Sequence, residues 1–308
     1  MLTSFFSKSK PVIFLTVVIF MAVFYVSANV QALFQEFSTY LLFTKIGVLA
    51  SFLVSVLILD FIAKKNELTK RSGFKILIFA LCAVSFSGIL KDNQVIVANL
   101  CVLLALRRII SLKSRKDVAL KIFDATFWIC IASLFYFWAI LFLIIVYAGI
   151  IFHAVNYFKN WLIPIIGLLI VFVLVTTFHL VFHDDFYSWS AWFQESSFNF
   201  ENYQNLSLLI PLSVLLAITF WTLSHYFKLF QKSGIRSRPT YMLVFITLLI
   251  SLSIAIFSPV KDGSELLFFL VPLSIITSNY FENKKDRGFK ETLLILLILM
   301  PILMPIFF

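Results

Sequence analysis

Few residues in this chain are equipped for chemistry, and most of those sit where long apolar runs end. His183, Asp184 and Asp185 form the most polar cluster, and His179 precedes His183 by one helical turn, so a helix puts both imidazoles on one face. Two histidines and a carboxylate at that spacing can hold a divalent cation or act as an acid/base pair. The competing and weightier account is a polar span end whose Asp caps the helix that follows. Glu36 stands before Tyr40 and Lys45, where it is either a general base or a solvated loop residue.

Lys45, Lys91 and Lys261 are the three basic residues that fall on the outer face in the topology derived below. An ammonium in such a place neutralises a phosphate or diphosphate unless an adjacent acid takes it, as Asp92 can for Lys91 and Asp262 for Lys261. Lys45 has no such neighbour and can snorkel outward along its own stem. Asp60 and Asp124, at the ends of apolar segments beside basic clusters, read as structural. The catalytic candidates are thus Glu36, Asp184 and Asp185, and the substrate-binding candidates Lys45, Lys261 and His183. No cofactor is called for, the divalent cation at the histidines being the one candidate. There is no P-loop, HExxH, GxSxG or Rossmann glycine run. Cys82, Cys101 and Cys130 lie in apolar runs without CxxC spacing and read as packing residues.

The elements that must position these groups are membrane helices. Of 308 residues 61% are hydrophobic and 13% charged, too few polar side chains to cover a soluble core. The net charge of +10 does not point to nucleic acid, because the basic residues come in short clusters between apolar runs, where membrane topology accounts for them. Apolar runs of spanning length cover 12–29, 42–62, 74–90, 96–112, 162–182, 206–227, 241–258, 266–281 and 292–308. The opening LTSFFSKSKP reads as the flank of an uncleaved first span.

Basic clusters then set the orientation. Lys8 and Lys10 put the N-terminus inside, and loops 63–75, 107–121, 228–239 and 282–291 carry further Lys and Arg. All four loops reach the same face only if the long run 122–153 counts as two passes. As one helix it would be about 48 Å long, too much for an upright span. A short or re-entrant hairpin turning near Tyr136–Phe137–Trp138 resolves both problems, and irregular backbone at that depth requires protein or a water-filled cavity around it. The reading is a single integral-membrane domain, an all-α polytopic bundle of about eleven segments with its C-terminus outside. Then 22 of 25 Lys and Arg lie inside, and three basic against eight acidic residues leave the outer face at −5. The acidic, aromatic loop 183–205 is outside and suits a short amphipathic helix along the interface.

Four segments, SFFSKSKP, FDATFWICIASLFYFWAILFLIIVYAGIIF, NWLIPIIGL and SPVKDGSELLFFLVPLSIITSNY, carry a resemblance along the whole chain to an uncharacterised family of multi-pass inner-membrane proteins from Bacteroidota-type bacteria. That resemblance implies topology and a bacterial cytoplasmic membrane. The broken stretch ICIASLFYFWAILFL is also similar to hairpins of polytopic glycosyltransferases that use polyprenyl-phosphate-linked sugars. The chain departs from them in having the single Glu36 in its first outer loop and no large outer domain. The expectation is handling or transfer of a polyprenyl-phosphate-linked sugar at the outer leaflet. The alternatives are a non-enzymatic subunit that holds protein partners of an envelope or secretion assembly through loop 183–205, and a transporter. The last is disfavoured because no span carries an acid at its centre.

Overall fold

The computed structural model describes residues 2–8, 10–35, 38–153, 157–283 and 287–307. No strand occurs among them, and the chain is an all-α polytopic bundle. Its principal helices are α1 (Pro11–Gln35), α2 (Thr39–Lys65), α3 (Phe74–Ser85), α4 (Ser87–Lys91), α5 (Asn93–Ile110), α6 (Val118–Phe135), α7 (Leu143–His153), α8 (Lys159–His183), α9 (Leu206–Lys232), α10 (Arg238–Phe257), α11 (Leu267–Phe281) and α12 (Arg287–Phe307). Eight stretches of the described residues are long and apolar enough to cross a membrane, and the shorter apolar helices Phe74–Ser85 and Phe137–His153 join them. With α12, eleven apolar helical segments are found among the described residues. Helix is the physical outcome for such runs because hydrocarbon offers backbone N–H and C=O groups no partners outside the segment.

The bundle is built around α3 and α11, which pack on each other and are buried along their whole length. Between α3 and α4 the backbone opens at Phe86 into an extended conformation, so this crossing is broken into two pieces. Helix α8 is the opposite case. It rests on α6 and turns most of its apolar side chains outward, Leu169 being 59% and Val173 57% exposed. In water that surface would be a liability; in lipid it costs nothing.

The run 122–153 is a hairpin. Helix α6 stops at Tyr136, whose φ of −142° and ψ of 104° are extended, and a 3₁₀ turn over Phe137–Phe142 leads into α7. On α7, a Cβ added to Gly149 would lie 2.8 Å from Ile109 Cγ2 and 3.2 Å from Leu112 Cδ1. The chain has therefore returned to the end where α5 finishes, and a larger residue there would force the Ile109 side chain to shift.

Long-range contacts sort the loops into two ends. At the basic end, Asp60 pairs with Lys64 at 2.7 Å and with the fully buried Lys75 at 3.0 Å, and Arg108 pairs with Asp124 at 2.9 Å. Glu282 there accepts hydrogen bonds from Ser72 Oγ at 2.5 Å and the Lys70 backbone N–H at 2.7 Å. Burial raises the Glu282 carboxyl above the usual range, and those two donors oppose the shift. At the other end, Asn29 Nδ2 donates to Leu90 O at 2.9 Å, and Gly88 meets the Asp262 backbone so closely that a Cβ would lie 2.4 Å from its carbonyl oxygen. Tyr136 OH donates to Ser258 Oγ at 2.8 Å at this same acidic, aromatic end.

Candidate functional site

The hairpin break leaves carbonyls at the end of α6 without helical partners, which is where a helix C-terminus needs a donor. Trp192 supplies one: its indole N–H donates to Ser133 O at 2.7 Å. That bond pins loop 183–205 onto the hairpin. Phe137 then packs edge-on against Trp192 at 4.8 Å and Phe193 at 5.0 Å, and Trp138 stacks on Phe257 at 5.7 Å. On the other side Trp189 stacks on Phe172 of α8 at 4.6 Å, Tyr187 meets Trp189 at 4.7 Å, and His179 meets Tyr187 at 4.9 Å. The aromatic side chains form a continuous roof from His179 to Phe257.

Beneath the roof lies an apolar groove between α6 and α8. One cavity of about 430 Å³ is lined by Cys130, Ser133 and Leu134 of α6, by Ile140, by Leu168, Leu169, Val171 and Phe172 of α8 and by Trp189, Trp192 and Phe193. A second, of about 520 Å³, shares Leu134 and continues along Leu174, Val175 and Phe178 to His179 and Tyr187. His183, Asp184 and Asp185, all exposed, form a polar end to α8 one turn beyond His179. His183 lies 4.8 Å from His179, ring to ring. The groove runs along the outward-facing apolar surface of α8.

His183, Asp184 and Asp185 are therefore together, but the other sequence candidates do not join them. Lys45 Nζ points inward, donating to Asn29 Oδ1 at 2.7 Å and Asn93 Oδ1 at 2.9 Å, which ties α1, α2 and α5 together. Lys261 is buried and donates to the backbone carbonyls of Ala255, Ile256 and Ser258 at 3.1, 2.7 and 3.2 Å, beneath the Phe200 ring at 4.4 Å. Burial lowers its ammonium below the ordinary lysine range, partly offset by the Glu265 carboxylate. Glu36 lies outside the described residues.

The adjacent acids that might have taken the lysines are engaged as caps. Asp92 accepts from the backbone N–H groups of Gln94 and Val95, and Asp262 accepts from the Ser264 N–H and hydroxyl. Fixed, orphaned N–H groups at a helix start hold a carboxylate at little entropic cost, whereas a lysine must be ordered to do so. Asp184 also differs from expectation. It ends α8 in a left-handed conformation with φ of 53° instead of starting a loop helix, and the loop holds two short turns, Trp189–Trp192 and the 3₁₀ turn Glu201–Gln204. As for metal, no three His, Cys, Asp or Glu gather as ligands among the described residues.

The model of a family of unknown function, DUF6427, matches residues 1–308. The chain belongs to this family. No curated protein and no solved structure matches it. For a DUF6427 chain the site must therefore be argued from its own residues, and two of those are invisible to sequence reasoning. Glu265 is wholly buried at the start of the α11 segment and accepts a hydrogen bond from Tyr203 OH. Its second oxygen meets no donor among the described residues. Burial and then the neighbouring carboxylate push the Tyr203 phenol above its ordinary range, so it remains a donor. In sequence Tyr203 is one aromatic among many, and Glu265 one acid in a polar turn. The signal that could have marked Glu265 is its position immediately before the apolar run LLFFLVPL.

Proposed function

We propose that this DUF6427 protein binds and presents a polyprenyl-phosphate-linked sugar in the outer leaflet of a bacterial cytoplasmic membrane. The basic end is then cytoplasmic with the N-terminus, and the aromatic end and the C-terminus are outside, as the charge asymmetry favours. The observation that carries the reading is the roofed groove between α6 and α8. An isoprenoid chain lies along Leu134, Leu169 and Phe172, and the sugar meets Tyr187 and the polar end of α8 beyond it. Asp184 and Asp185 accept sugar hydroxyls, and His183 donates or accepts beside them. Carboxylates in that position are also the groups available as a general base, should a transfer step follow.

Filling the groove tests this without disturbing the core, because Leu169 is 59% exposed. Leu169→Trp is expected to weaken binding of a short-chain polyprenyl-phosphate-linked sugar in detergent by about tenfold, the equivalent of leaving one or two methylene groups of the lipid unburied. Thermal unfolding should be unchanged. Undiminished affinity in a folded Leu169→Trp variant removes the groove from the account.

A further inference from the structure

A third cavity, at the opposite, basic end, has no part in the proposal above. It measures about 960 Å³, and the charged groups lining it are Lys8, Lys64, Lys65, Arg71 and Arg107 against the single carboxylate of Asp60. That carboxylate is already held by Lys64 at 2.7 Å and, from behind, by the buried Lys75 at 3.0 Å. Five cations thus face the cavity with one acid that is doubly paired. Its floor is apolar: Leu57, Ile58 and Phe61 from the last turns of α2. Leu57 is 49% and Phe61 41% exposed, on the side of α2 that meets lipid. The Phe61 ring carries two of the cations, with Lys65 Nζ 5.1 Å and the Arg107 guanidinium 5.0 Å from its centroid.

We infer that this cavity is a binding site for an anionic glycerophospholipid. The phosphate enters the ring of cations and the acyl chains run down the Leu57–Phe61 face. A site with these two halves stacked in this order is complementary to a molecule with a negative head and apolar tails. It is a poor site for a free anion, which would leave the apolar floor uncovered. Arg71 and Arg107 offer forked donors that fit phosphate oxygens, and the Lys65 ammonium lies over the Phe61 ring, from which it can turn to the ligand. Each cation near a membrane surface strengthens the hold on an anionic headgroup by about fivefold.

The test uses the full chain, delipidated in detergent, with native mass spectrometry of added phosphatidylglycerol, phosphatidylcholine, polyprenyl phosphate and inorganic phosphate. The wild type should retain phosphatidylglycerol over phosphatidylcholine. Lys65→Gln/Arg71→Gln/Arg107→Gln should bind it about tenfold or more weakly. Lys116→Gln/Arg115→Gln/Arg236→Gln removes the same charge from exposed positions outside the cavity and should change little. Arg71→Gln alone, at an exposed loop position that no packing depends on, keeps the test open if the cavity triple fails to fold; its loss should be several-fold. Equal losses in both triples, or no preference for phosphatidylglycerol over phosphatidylcholine, would overturn the inference. Tighter retention of polyprenyl phosphate, or competition by millimolar inorganic phosphate, would overturn the assignment to a glycerophospholipid.

Discussion

Asp60→Asn is expected to destabilise the folded bundle by about 3–5 kcal/mol, read as a lowered unfolding midpoint in detergent micelles. The reason is Lys75. Its side chain is fully buried and has two partners, the Asp60 carboxylate at 3.0 Å and Ser72 O at 3.0 Å. With Asp60 neutral, two ammonium groups face each other across the vacated charge, because Lys64 also leans on that carboxylate. Lys75 sits in α3, one of the two helices at the centre of the bundle, so relaxation toward water is blocked. The companion variant Asp60→Asn/Lys75→Met removes the stranded cation as well and should recover most of the loss, since an apolar stem of similar volume suits that site. If the single and double variants unfold alike, the Asp60–Lys75 pair is not what holds that end.

Lys261→Met should cost about 3 kcal/mol in the same assay while leaving affinity for a polyprenyl-phosphate-linked sugar unchanged. Lysine at this position terminates α10: Nζ reaches three carbonyls that no helical N–H can satisfy. Methionine keeps the stem and strands those carbonyls in a buried turn. The turn also carries Asp262, against whose backbone Gly88 packs, and Glu265, which Tyr203 holds, so its loosening should spread to α4 and to the roof loop. The opposite pattern, a stable Lys261→Met protein that no longer binds the lipid, would return Lys261 to the role of a phosphate ligand.

The fate of Lys261 shows where sequence reasoning stops. Charge tells that a lysine on an otherwise acidic face needs a partner, and adjacency suggests Asp262. The partners are backbone carbonyls of the preceding helix, which carry no residue identity and so leave no mark in the sequence. Lys45 is the same case with side chains: Asn29 and Asn93 lie 16 and 48 residues away. Glu265 and Tyr203, 62 residues apart, are joined only by the fold.

What could be read was global. The hairpin at 122–153 follows from the side on which basic loops must fall, and Gly149 against Ile109 and Leu112 is its physical counterpart. The aromatic loop shows both outcomes. Its location at the end of α8 was legible, and with it the grouping of His183, Asp184 and Asp185. Its conformation was not, because an interfacial helix gains from lipid, whereas this loop gains more from the Ser133 carbonyl and the rings of Phe137 and Phe172.

The central claim, a lipid chain held under the aromatic roof, is tested most directly by photo-crosslinking. A polyprenyl-phosphate-linked sugar with a photoactivatable group on its isoprenoid chain would be added to membranes containing the intact protein, and the labelled peptides mapped. The predicted result is labelling confined to Leu134, Leu168–Phe172 and Trp189–Phe193, abolished by excess unlabelled lipid. Labelling spread evenly over the outward faces of α1, α2 and α8, and indifferent to competitor, would contradict it.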